Sequence, residues 1–409
     1  MTMLCRHCKT PLVHKFLDLG FAPPSNAYLS EEDLNKPELT FPLKLYVCDS
    51  CWLVQTQDFA NADALFTKDY AYFSSTSTSW LAHAKQYCDA IAAQLGLHSR
   101  SHVVELASND GYLLKNFVQA GIPCLGIEPT ASTATAARKL GIPTLEEFFG
   151  TSLAKTLKAQ GKEADLILGN NVYAHVPDIN DFTQGIQTLL KPEGVVTLEF
   201  PHLLELIKHT QFDTVYHEHY SYLSLSSVQK IFEKAHLRVW HVETVGTHGG
   251  SLRVYGCKNE AAYLKTDAVD QLLAAELAFG LQNLATYQNF QIKADTIKNN
   301  ALAFLLEQKQ LGKTVVGYGA AAKGNTLMNY AGIKPDLISF VCDAAPAKQN
   351  KYMPGNHLPI LTPSEISKHK PDYVFIFPWN IAAEVIKINQ HIREWDGKFV
   401  VAVPQLRIL

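Results

Sequence analysis

No run of about twenty apolar residues occurs in this chain of 409 residues, so no segment is long enough to cross a bilayer as a helix. An excess of one charge is also missing. Lys and Arg number 36 and Asp and Glu 39, for a net charge of −3. Such a balance creates no field that would draw nucleic acid or a membrane surface. The first residues, MTMLCRHCKT, lack the apolar core of a secretory signal. These absences predict a cytoplasmic protein with neither nucleic acid nor membrane as partner. What is present is an ordinary globular balance, 47% apolar and 18% charged, in a chain long enough for two or three domains with full cores.

The eight cysteines do not read as disulfides. Cys5 and Cys8 stand in CRHC, Cys48 and Cys51 in CDSC, and the other four are scattered singly. In a reducing compartment, two Cys-x-x-Cys pairs predict a zinc site. Four thiolates close the tetrahedron, so the site is structural. A redox pair would need only one such motif. His7 lies inside the first knuckle and reads as a bystander. Residues 1–65 form this zinc module, which is too small to bury much apolar area and needs the metal for stability. LTFPLKLYVC predicts a strand entering the second knuckle.

Residues 66–80, FTKDYAYFSSTSTSW, are too aromatic for a plain linker and too polar for a core, and read either as an arm over a site or as a surface linker. Strands and helices then alternate: SHVVELA, a turn SNDG, a helix YLLKNFVQAG, IPCLGIEP, EADLILGNN, a helix ended by Pro192 and Gly194, and GVVTLEFP. The alternation predicts a doubly wound α/β domain, residues 66–244, whose parallel strands present a ligand site at their carboxyl ends. Glu105, Ser108, Asn109 and Gly111 lie at the first strand end. Glu128 follows 23 residues after Glu105, where a carboxylate accepts bonds from ribose hydroxyls. The first turn lacks G-x-G-x-x-G, so a pyrophosphate is not accommodated. An adenosine ligand without phosphates fits better, and S-adenosylmethionine is one. Asn170 and Asn171 close the fourth strand, with His175 just beyond.

Thr214–Tyr222, TVYHEHYSY, is the densest chemistry in the chain. Read as extended, it puts Tyr216, Glu218, Tyr220 and Tyr222 on one face and His217, His219 and Ser221 on the other; a turn would break that pattern. The residue types suit an acid/base site: an imidazole, a carboxylate to orient it, and phenols for an oxyanion. A divalent-metal site through His-x-His and a polar strand with satisfied side chains are the competing readings.

VVELASNDGYLL, LGIEPT, NNVYAHVPD, LEFPHL, FDTVYHEHYSYLSL and HGGSLRVY together resemble the S-adenosylmethionine-dependent nucleotide-sugar 3-C-methyltransferases of tetronitrose and mycarose type. The resemblance spans nearly the whole chain, zinc module included. It implies methyl transfer to C3 of a nucleotide-diphosphate 4-keto-deoxy sugar. It further implies that Tyr70, Tyr216, Glu218 and His219 line the sugar site, with His175 nearby and His219 as base; Tyr222 is a second candidate for the oxyanion.

Residues 245–409 predict a second Rossmann-like unit, opening with the strand THGGSLRVYG and a long helical stretch. KTVVGYGAAAKGNTL reads as strand, glycine turn and helix, with Lys323 at the helix start, a setting suited to phosphate. Gly319, Lys323, Asn325 and Asp343 are the residues predicted to hold the nucleotide. An NAD(P)-dependent nucleotide-sugar oxidoreductase using this turn is the rival reading. The fused domains need no partner to complete a site, so a monomer suffices.

Overall fold

In the sequence FPLKLYV alternate residues are apolar, and they form a strand whose alternate side chains are buried. It is the second of three antiparallel strands, β1 (His14–Ala22), β2 (Phe41–Val47) and β3 (Val54–Thr56). The computed structural model describes residues 3–57, 74–76 and 78–409. The predicted arm, including Tyr70, falls mostly outside them.

The middle of the chain alternates as predicted. β4 (Val103–Leu106), β5 (Cys124–Ile127), β6 (Thr144–Leu145), β7 (Ala164–Asn170) and β8 (Leu190–Pro201) are parallel neighbours with helices between them. The helix predicted to run to Pro192 stops at Leu189, because β8 already begins at Leu190. β9 (Ser221–Tyr222) leaves this unit and pairs antiparallel with β3, giving the zinc module its fourth strand. β10 (Leu237–Val245) and β11 (Ser251–Lys258) form an antiparallel hairpin on β8. The seven-stranded order is β10-β11-β8-β7-β4-β5-β6. The strand THGGSLRVYG, expected to open the third unit, therefore lies inside the middle sheet.

The expected long helix is three helices, Asp267–Phe279, Ala285–Gln288 and Phe290–Gln310. A second Rossmann-like sheet follows, built from β12 (Val315–Tyr318), β13 (Val341–Cys342), β14 (Ile360–Leu361), β15 (Tyr373–Ile376), β16 (Lys398–Val401) and β17 (Arg407–Ile408). Its order is β14-β13-β12-β15-β16-β17, parallel except for β17. The turn after β12 thus sits where the strand order reverses, the usual crevice of such sheets.

The zinc module does not rely on metal alone. Phe16, Leu17, Leu43 and Leu45 share one core with Phe290, Phe304 and the β12 side of the last unit. The Phe16 ring lies 4.7 Å from that of Phe290 and 5.1 Å from that of Tyr287. Through β9 the module also joins the middle unit. It is the bracket that brings the other two together, and the main cavity opens at that junction. Among the described residues, no helix is long and apolar enough to cross a membrane.

Candidate active site

A cavity of about 480 Å³ is lined by side chains from all three units. Its lining falls into three sets by chain segment: Asn109, Ile127 and Glu128 with Phe148 and Phe149; Asn170, Asn171, His175, Tyr216 and His219; and Lys323 and Lys348 of the last unit.

The first set follows β4 and β5. Asn109 has a left-handed backbone, φ 49°, which turns its N–H onto Glu128 Oε2 at 2.9 Å; Thr130 N–H donates to Oε1, also at 2.9 Å. Glu128 is buried, and burial pushes its carboxyl up while these two bonds oppose the shift. Asn170 presents both side-chain polar atoms, buried and without a partner among the described residues. A pinned strand-end carboxylate, an unspent amide and an apolar wall from Phe148, Phe149 and Ile127 fit a nucleoside carrying polar groups and no phosphate.

Three neighbours from the predicted set stay behind the wall. Glu105 is fully buried in β4, held well above the usual carboxylate range by burial and then by Asp110 and Glu128. Ser108 packs under β5, where a side chain on Gly126 would come within 2.4 Å of its Oγ. Gly111, at φ 78°, leaves no room for a Cβ, which would meet Ile142 at 2.3 Å. These residues shape the turn and do not line the cavity.

The central stretch is not extended. Phe212–Thr214 is a 3-10 turn, and His219 N–H bonds Tyr216 C=O at 3.0 Å, closing a second turn. The alternating faces are lost, and a cluster replaces them. The His219 ring centre lies 3.9 Å from that of Tyr216, 4.5 Å from His175 and 5.9 Å from Tyr222. Tyr216, His219 and His175 reach the cavity; Tyr222 stands behind His219 and does not. Glu218 does not orient His219. Its Oε1 accepts from Asn26 at 3.3 Å, and burial raises its pKa. Its main chain instead bonds His175. His217 points away to the Phe41 carbonyl at 3.2 Å, so His-x-His makes no metal site.

Desolvation lowers the basicity of every imidazole here. His219 lies well below its usual value, with His175 adding to the effect, and His175 is itself lowered to about 4. His248, lowered to about 4, adds a third ring to the wall. Asn171 Nδ2 donates to its Nε2 at 2.9 Å, and Trp80 lies 5.2 Å away. The sequence reading passed over His248, Trp80, Asn26 and Lys348. Only His248, beside two glycines, carried any local signal.

In the last unit, Lys323 reaches the cavity, held by Asn380 Oδ1 at 2.7 Å and lying 4.7 Å from the Trp379 ring centre. Gly319 is a glycine by necessity, at φ 90° with Pro378 2.4 Å from where a Cβ would stand. Asn325 and Asp343 do not face a ligand. Asn325 is buried against Asn329 and Asn356. Asp343 spends its carboxylate on the N–H groups of Ala320 and Ala345, each at 2.8 Å. Asp343 also does not line the cavity, so the acid that a dinucleotide would need for its ribose is not presented there, against the oxidoreductase reading.

Beyond the cavity, the Sγ atoms of Cys5, Cys8, Cys48 and Cys51 all lie within 4.8 Å of one another. Cys5–Cys51 and Cys8–Cys48 are each 3.5 Å apart. Four sulfurs at about 2.3 Å from one zinc sit about 3.8 Å apart in a tetrahedron, so the set fits structural zinc. Lys9 and Trp52, each following the second cysteine of its pair, share φ 64°, the same knuckle formed twice. This is the only such metal-ligand cluster found among the described residues.

Three family models match in succession: a zinc binding domain over residues 5–66, a methyltransferase domain over 80–242, and a C-methyltransferase C-terminal domain over 246–404. The C-methyltransferase NovU of Streptomyces niveus is 34% identical over 405 residues, covering 99% of this chain and 96% of NovU. Fainter likeness extends to solved structures. Magnesium protoporphyrin IX methyltransferase of Synechocystis is 14% identical over 44% of this chain and 81% of its own, with a TM-score of 0.33. The PH0226 protein of Pyrococcus horikoshii is 15% identical over 46% and 95%, with a TM-score of 0.38. The order of three matched domains and the full-length identity agree with the doubly wound middle sheet and the four-thiol knuckles: the chain belongs to the S-adenosylmethionine-dependent C-methyltransferases, with a zinc-binding N-terminal module.

Proposed function

We propose that this enzyme methylates C3 of a nucleotide-linked 4-keto-deoxy sugar through an enolate. One observation carries the reading. A single cavity joins the nucleoside end at Glu128, the His175–His219–Tyr216 cluster and the lysines of the last unit. S-adenosylmethionine, when bound, supplies an electrophilic methyl carbon, and Asn109, Glu128, Asn170 and Asn171 are the residues that would hold it. Lys323 and Lys348 bring positive charge to the far end, where a sugar's diphosphate needs it.

Between these ends, a proton on the carbon beside a ketone is acidic enough for a positioned base if the oxygen that gains charge is stabilised. His219 accepts that proton. Its depressed pKa keeps the imidazole neutral at pH 7, so it is ready as a base, but a weak one. The burden therefore falls on the oxyanion, to which Tyr216 or His175 donates. As the C–H bond breaks, its electron pair forms the C=C bond of the enolate and the carbonyl pair moves to oxygen. The enolate carbon then takes the methyl group. The oxygen returns its pair to restore the carbonyl, and the C=C pair forms the new C–C bond. The pair of the broken methyl–sulfur bond would stay on sulfur in the departing thioether.

Mass spectrometry of a thymidine-diphosphate 4-keto-6-deoxy sugar in heavy water tests this. Deuterium should enter beside the ketone without donor, and a methyl group should be added with it. Guanosine- and cytidine-diphosphate forms extend the test. If S-adenosylmethionine binds but none of the three sugars shows either change, the sugar reading fails.

A further inference from the structure

A zinc site that only stapled its own module would turn the residues between its ligands toward solvent or toward that module. Here both of them reach out. Arg6 and His7, inside the Cys5–Cys8 knuckle, are buried. Arg6 Nη1 donates to the Pro177 carbonyl at 2.8 Å and Nη2 to the Thr56 carbonyl at 3.1 Å. Its guanidinium lies 5.3 Å from the centre of the Tyr220 ring. His7 Nδ1 donates to Asn180 Oδ1 at 2.8 Å, and Asn180 Nδ2 returns bonds to the carbonyls of Arg6 and His7 at 3.2 and 2.9 Å.

Each contact ends beside a cavity imidazole. Pro177 follows His175 by two residues, and Asn180 opens the helix after it, its own N–H bonded to Asp178 Oδ1. Thr56 bonds the other segment: its N–H donates to the Tyr220 carbonyl at 3.1 Å and its Oγ1 to the His219 carbonyl at 3.3 Å. The link back to the metal site is equally short. Arg6 N–H donates to Gln55 Oε1 at 2.8 Å, and Gln55 Nε2 donates to Cys5 Sγ at 3.2 Å. One rigid fork therefore spans the Pro177 loop and Thr56, which carries the His219–Tyr220 main chain. A lysine, a single point charge on a flexible stem, cannot span both acceptors.

We propose that the zinc knuckle positions the two imidazoles of the active site, with Arg6, His7 and Asn180 as positioning residues. The knuckle sets the height of the 175–180 loop and of the 219–220 main chain relative to each other, and so holds His175 against His219. His7, a bystander in the sequence reading, is part of the clamp. The inference rests on the reading that these imidazoles face the acceptor.

The test uses the full-length, zinc-loaded protein with histidine labelled at Cε1. The His175 and His219 resonances are assigned from their loss in His175→Gln and His219→Gln. In Arg6→Lys and Asn180→Ala, zinc content and S-adenosylmethionine affinity should stay within about twofold of wild type. The two ring resonances should shift or broaden, while that of His241, held by Thr266 at 2.8 Å, stays fixed. Methyl-transfer kcat should fall about tenfold or more with KM little changed, as a displaced catalytic group requires. Removing zinc from wild type should move the same two resonances. Asn180 lies outside the knuckle, so that variant decides the matter even if Arg6→Lys loses metal. Unmoved His175 and His219 resonances in zinc-bound Asn180→Ala overturn the proposal. The resonances need no acceptor, so failure to find the sugar would count against the sugar reading alone.

Discussion

Replacing Glu128 by alanine separates donor binding from everything else at this site. The carboxylate accepts two main-chain N–H bonds of 2.9 Å. Its loss strands two donors at about 1–3 kcal/mol each, an upper bound because the cavity admits water to them. A stability loss of about 2–4 kcal/mol is expected. If the same carboxylate takes two ribose hydroxyls, each charged hydrogen bond is worth about 1.5–3 kcal/mol. Losing both raises the Kd for S-adenosylmethionine by about a hundredfold or more. Glu128→Gln keeps one acceptor but sets an amide N–H against a main-chain N–H, and should fall between. Titration calorimetry at a temperature where both variants are folded, checked by thermal melting, measures this. A Kd for the folded alanine variant within about threefold of wild type would refute the ribose role.

Three further outcomes follow from the same geometry. His219→Ala should leave the donor Kd intact and lower kcat by about a hundredfold or more, the usual worth of a general base; near-normal turnover would remove His219 from that role. The pH profile of kcat, with both substrates saturating, should stay flat from pH 8 to about 6. A base is active when unprotonated, so activity is lost only as pH falls through the folded-state pKa. His175 is lowered to about 4 and His219 well below its usual value, so an acid limb centred at the ordinary histidine pKa would contradict the burial argument. Lys323→Met should raise the KM for the nucleotide sugar about tenfold or more through loss of a charged contact, with donor affinity unchanged. Equal effects on both would place Lys323 at the donor end.

Local chemistry was legible where neighbours in sequence do the work. Two Cys-x-x-Cys pairs announced a four-thiol site, because each knuckle is made by its own four residues. Strand–helix alternation announced the middle sheet, and Glu128 at a strand tip follows from the α/β crossover itself. The limits appeared where a side chain's partner comes from another segment. Glu105, Ser108 and Gly111 sit at the right strand end, yet they face the packing side of the turn. Asn325 and Asp343 have the right spacing, yet neither lines the cavity, and their acceptor oxygens take bonds from Asn356, Ala320 and Ala345.

TVYHEHYSY shows the division most clearly. Its composition promised acid/base chemistry, and alternation suggested which side chains share a face. The turn at Tyr216–His219 removed that periodicity and gave His219 a different set of neighbours, with His175 supplied from 44 residues away. Residue types and their spacing determined that a zinc knuckle, a nucleoside-binding sheet and an imidazole–phenol cluster would exist. Only the tertiary structure decided that the sheet and the cluster meet at one cavity, and that the knuckle's own Arg6 and His7 bond the chain that follows His175. The reason is physical: burial, pKa and hydrogen-bond partnership are set by whatever packs across the gap, and that is absent from any short stretch of sequence.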